Sequence, residues 1–275
     1  MKSKPNFTKK DFIVTLACAL FLLANLAAIG TSGRRRAKEA VCLSNLQNWA
    51  NIFQAFINDN NGFFMQGWYE LNGQSWYAAL RPYYGESESE QDIRADIKCC
   101  PEAAKPTDKE PSDLEGSTFE AWGGPDSWAF MDGKRHDYGS YGTNTHIYNH
   151  PGIGDDWQPA FWRRPDVAGA DNIPMFLDST FPTGYGYWTN EPPLYPGAEY
   201  WSGANGTGLG VYCIPRHYGA INGLFLDFSA RKIGLKELWL LKWSRTYDLT
   251  QARANEPDWT IGTGWMVPLK DYDYD

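Results

Sequence analysis

His217 and Asp227, with nine residues between them in RHYGAINGLFLDFSARKIG, are the first pair whose types could do chemistry. An imidazole beside a carboxylate can serve as an acid–base couple or as two metal ligands. No nucleophile, paired carboxylate or second histidine stands near them in sequence. Residues 218–223 read as a turn and 224–226 as the apolar strand returning from it. A histidine and an aspartate flanking such a turn can hydrogen-bond to each other and fix its register, so the pair is expected to be structural.

Other candidates are weighed in the same way. His146 and His150 lie four apart, a spacing that on a helix would turn both imidazoles to one face for a metal. The Pro151-Gly152 that follows suggests a strand entering a turn instead, and the glutamate of an H-E-x-x-H helix is missing. Asn58, Asp59, Asn60, Asn61 and Gly62 approach a calcium loop without its terminal glutamate, and read better as a helix end. Asp155-Asp156 and Asp171-Asn172 leave calcium open without giving it a motif. Cys18 lies in an apolar run, whereas Cys42, Cys99, Cys100 and Cys213 follow it. No C-x-x-C pair occurs, so no zinc cage is expected; in an exported domain Cys100–Cys213 is the preferred disulfide. Serine-nucleophile elbows and phosphate loops are absent as well. The expectation is a chain with no catalytic residue, no resident metal and no cofactor.

The elements that must position these residues begin with a run of nineteen uncharged residues, 12–30. At a rise of about 1.5 Å per residue it matches the roughly 30 Å core of a bilayer, so a single-pass anchor in a cytoplasmic membrane is expected, with lipid as one partner. In the following stretch Cys42, Leu46, Trp49, Phe53 and Phe56 alternate at spacings of four and three, the mark of an amphipathic helix. Asn60-Asn61-Gly62 is its stop signal. If 30–33 only kink the chain, 12–60 form one helix about 75 Å long. Beyond it, short apolar runs at 173–177, 210–214 and 224–228 read as strands, and 75–80 and 236–243 as short helices. The predicted fold is α+β: a long N-terminal helix, partly transmembrane, packed on a small antiparallel sheet with long loops. Its parts would be a leader and membrane helix at 1–33, an amphipathic continuation at 34–61 and an extracytoplasmic globular domain at 62–275.

Charge is divided unevenly. Of a net −8, residues 1–38 carry +7, leaving −15 on the remainder. An acidic body argues against nucleic acid as a partner, while the basic collar suits anionic headgroups. The 13 Trp, 16 Tyr and 14 Phe either fill a rigid core or stack on sugar rings. Exposed rings such as Trp188 and Trp201 would make a glycan-binding module the alternative function.

Three stretches together resemble bacterial type IV pilins and type II secretion pseudopilins, in a branch with a C-terminal H-x9-D-G signature. Phe7-Thr8-Lys9-Lys10-Asp11 before the apolar run is similar to the F-T-L-I-E start of prepilins. Residues 36–46, RAKEAVCLSNL, resemble the R-x-A-x-x-x-x-C-x-x-N-L extension of the helix, and His217 and Asp227 supply the third piece. Departures are Asn6 where prepilins carry glycine before the cleaved bond, Lys9 and Lys10 where they carry apolar residues, and Phe228 in place of the final glycine. The resemblance implies Phe7 as a first mature residue and Asp11 as the acidic position used in assembly. It also implies other pilin-like subunits as partners, in a structural or assembly role in a cell-envelope or secretion system.

Overall fold

Cys42, Leu46, Trp49 and Phe53 are buried along one side of a single helical segment, and the remaining chain is built around that stripe. The computed structural model describes residues 8–67, 75–84, 95–103, 115–123, 138–150, 158–196 and 208–272, apart from the side chains of 23–29, 31, 95 and 96. Helix α1 runs Lys9–Asp59. Thr8 caps it: its hydroxyl accepts from the Asp11 N–H at 3.3 Å, while the Asp11 carboxylate accepts from the Thr8 N–H at 2.8 Å. At the other end Asn61 and Gly62 take positive φ angles of 56° and 82°, and the Gly62 N–H donates to the Ile57 carbonyl at 2.8 Å. Arg164 closes that end, donating to the Asn61 carbonyl at 2.7 Å and lying 4.0 Å over the Phe63 ring.

The helix packs on a five-stranded sheet. Its strands are β3 (Tyr141–Asn144), β4 (Pro174–Asp178), β5 (Thr183–Gly184), β6 (Ala220–Phe225) and β7 (Ala230–Gly234), in the order β5-β3-β4-β6-β7. A two-stranded ribbon pairs β1 (Trp122–Gly123) with β2 (Tyr138–Gly139). Strands β4 and β6 are buried along their whole length, as central strands covered on both faces must be. Phe176 on β4 meets α1, its ring centroid 5.2 Å from Trp49 and 5.5 Å from Phe53. Trp76 and Tyr84 of α2 (Trp76–Tyr84) complete this aromatic layer at 5.5 and 5.3 Å from Trp49. Since side chains alternate along a strand, Asp178 points the same way as Phe176 and reaches α1 at Cys42.

The predicted architecture needs correction. The sheet is mixed, because β3 and β5 pair in parallel while the other neighbours run antiparallel. Among the described residues no helix is long and apolar enough to cross a membrane. The partly transmembrane helix on an antiparallel sheet is therefore replaced by a helix laid on a mixed sheet. Residues 210–214 form turns rather than a strand, and 236–243 shorten to a 3-10 helix, Lys236–Leu240.

Candidate functional site

Local structure first fixes the loop of Cys99 and Cys100. Helix α1 offers Asn45 Nδ2 to the Cys99 carbonyl at 3.1 Å and the Trp49 indole N–H to the Ile97 carbonyl at 2.9 Å. The Cys100 N–H donates to Ser140 Oγ at 2.6 Å, just before β3. Cys100 is thereby held against α1, near Cys42. His217 is delivered by a tight turn whose central residues Tyr218 and Gly219 both have positive φ, 58° and 75°, with the His217 N–H donating to the Ala220 carbonyl at 2.8 Å. Asp178 ends β4, opposite Tyr141 in the β3–β4 register.

These four segments bring Cys42, Cys100, Asp178 and His217 into one buried group, with their thiol, carboxylate and imidazole atoms all within 4.8 Å of one another. His217 Nε2 is 3.1 Å from Asp178 Oδ2 and 3.4 Å from Cys100 Sγ. Cys42 Sγ is 3.7 Å from Asp178 Oδ2 and accepts from the Tyr141 hydroxyl at 3.3 Å. Asp178 accepts further from the Asn222 N–H at 2.8 Å and from Arg216 Nη1 at 3.0 Å. Arg216, buried like the others, spends its remaining N–H groups on the carbonyls of Ser117, Thr118, Ser140 and Ser179. All five donors of its planar fork are used, the condition under which a buried guanidinium is tolerated.

Each group's protonation follows from its neighbours. Burial works to raise the Asp178 carboxyl, but Arg216 and then His217 outweigh it and leave it below the usual range. Burial likewise works against a charged His217, yet the hydrogen bonds to Asp178 and Cys100 hold the imidazole up at about 10. Cys100 is brought down to about 7 against its own burial, mainly by Cys42, His217 and Arg216, while burial pushes the Cys42 thiol well up. The cluster thus sets a carboxylate and two thiols against a buried guanidinium and an imidazole. It is closed: every one of the four side chains is buried, leaving no face for a substrate.

The residues singled out from sequence are placed differently. His217 and Asp227 do not bond to each other; Asp227 instead accepts from the Ser229 N–H at 2.9 Å and its hydroxyl at 2.7 Å in the true β6–β7 turn. Cys100 and Cys213 are both free thiols rather than a disulfide, and Cys213 Sγ lies 3.7 Å from Met266 Sδ. Asp11 serves the helix cap, and Phe7 lies outside the described residues. Asn60 caps the C-terminus of α1 instead of lining a calcium loop. Trp76 and Tyr77 are buried and Trp188 packs against the core, whereas Trp68, Tyr69, Tyr200 and Trp201 lie outside the described residues. Sequence reasoning missed Asp178 and Arg216 altogether. The available signal was that Cys42 and His217 belong to two of the three stretches carrying the pilin resemblance.

His146 sits in a 3-10 turn, Thr145–Ile147, among the rings of Phe161, Tyr185 and Tyr187 at 5.5, 6.2 and 6.1 Å, and its Nδ1 has no hydrogen-bond partner. Burial drives its imidazole from 6.5 down to about 4. Between those values the unfolded chain binds a proton that the native chain refuses, so stability present above the upper value drains away as pH falls toward the lower one. The expected loss from this group between pH 7 and pH 5 is about 2 kcal/mol. Guanidinium unfolding at the two pH values, wild type against His146→Phe, measures it; an equal pH dependence in both proteins refutes it.

No family model, curated protein or solved structure matches the chain.

Proposed function

We propose that the chain is a non-catalytic, pilin-like subunit with a structural or assembly role in the cell envelope, and that it associates through the N-terminal part of α1. One observation carries the reading. Phe12, Ile13, Val14, Leu16, Leu20, Phe21 and Leu22 are 48–70% exposed, an apolar surface far denser than an isolated soluble helix tolerates. Equivalent helices from neighbouring subunits, packed side by side, would cover it. The globular part is tied to the helix beyond this surface by Lys38–Glu102 and Lys232–Glu39 ion pairs at 3.1 and 2.9 Å, so contacts made by the helix position the whole domain. The buried polar cluster supports a role without turnover, since it joins helix to sheet and offers nothing to solvent.

Cys18 provides the test, because it is exposed on this part of α1 whereas the other four cysteines are buried. The full chain treated with a short bismaleimide should give a covalent dimer that disappears in Cys18→Ser and weakens in Leu20→Asp. A chain that stays monomeric in sedimentation and yields no Cys18-linked dimer overturns the reading. So does a chain whose helix is retained only by lipid vesicles and never cross-links.

A further inference from the structure

We infer that Cys42, Cys100, Asp178 and His217 bind a zinc-class divalent cation as a closed structural site, a property that the assembly role does not require. The donor set is two sulfurs, one imidazole nitrogen and one carboxylate oxygen, which suits zinc among the common divalent ions. Zinc bonds of about 2.3 Å to sulfur and 2.0–2.2 Å to nitrogen or oxygen put the edges of a tetrahedron at roughly 3.4–3.8 Å. The corresponding separations here are 3.4 Å for Cys100–His217, 3.1 Å for His217–Asp178 and 3.7 Å for Cys42–Asp178. Side chains from α1, the segment before β1, the end of β4 and the approach to β6 bring all four donor atoms within 4.8 Å of one another, close to this spacing.

Two further features fit a metal better than a purely polar core. The ligands are oriented from behind, as metal ligands usually are: Tyr141 donates to Cys42 Sγ, and Asn222 and Arg216 donate to Asp178. Formal charge also closes. Two thiolates and a carboxylate carry three negative charges, which a divalent ion and the Arg216 guanidinium cancel while His217 is neutral. Spacing along the sequence gives no warning of this site, because no two of its ligands are close in the chain.

The full chain, purified under reducing conditions, should contain about one zinc per molecule by elemental analysis. Replacement by Co(II) should give the intense visible bands of tetrahedral cobalt and a thiolate-to-metal charge-transfer band in the near ultraviolet. Cys42→Ser and His217→Ala should lose both bands. Because these variants can fail to fold, Tyr141→Phe keeps the ring and removes only the donor, and should weaken metal affinity about tenfold. Metal should also shield Cys42 and Cys100 from alkylation in the wild-type chain. A wild-type chain that retains no metal and gives no cobalt spectrum overturns the site, as does one recovered with a stoichiometric Cys42–Cys100 disulfide. Neither result bears on the Cys18 cross-link, so the two proposals fail separately.

Discussion

Replacing Arg216 by alanine is expected to cost the fold about 3–5 kcal/mol, because it removes the guanidinium paired with the buried Asp178 carboxylate and leaves four carbonyls without their donor. Most of a typical domain's 5–15 kcal/mol disappears at the lower end of that range. Lysine is expected to recover less than half of the loss. It keeps the charge, but one ammonium cannot reach Asp178 and the carbonyls of Ser117, Thr118, Ser140 and Ser179 from the positions of a planar fork. The three proteins can be compared by guanidinium unfolding followed through tryptophan fluorescence. An Arg216→Lys chain within about 1 kcal/mol of wild type would mean that charge alone matters and that the fork geometry is incidental.

Trp49→Ala should be nearly as damaging, at about 3–5 kcal/mol. Its indole stands at the centre of the helix–sheet contact, with Phe176, Tyr84 and Trp76 between 5.2 and 5.5 Å from it. The substitution leaves a cavity there and orphans the Ile97 carbonyl. Since that hydrogen bond also holds the loop leading to Cys100, the same variant should alkylate faster at Cys100. Trp49→Phe retains much of the packing and should fall between the two. A Trp49→Ala chain with wild-type Cys100 reactivity would show that the loop is held by Asn45 and Ser140 without help from the indole.

Periodicity explains what could be seen in advance. The stripe from Cys42 to Phe56 repeats at helical spacing and is buried, and Asn60-Asn61-Gly62 ends the helix because Asn61 and Gly62 adopt left-handed angles. The β6–β7 hairpin misled for a definite reason. Asn222-Gly223 has the composition of a two-residue turn, yet Asn222 gives its N–H to Asp178, and a Cβ at Gly223 would meet Ile233 Cδ1 at 2.5 Å. Tertiary contacts, rather than turn chemistry, chose those residues. The actual reversal contains Phe228 at φ 66°, a side chain where local rules ask for glycine. The parallel edge was equally hidden, since β5 is two residues long and carries no alternation to read. As for the cluster, Asp178 is merely the last residue of an apolar strand until β3, β6 and α1 are placed around it. An arginine beside a histidine, likewise, does not announce which carbonyls its fork will find.

The cluster also sets a timetable for biosynthesis. Cys42 meets a carboxylate 136 residues downstream, and Cys100 an imidazole 117 residues downstream. On the ribosome both thiols therefore emerge long before their partners, and the greasy side of the helix waits with them. Such distant pairings are slow to form and leave sticky intermediates.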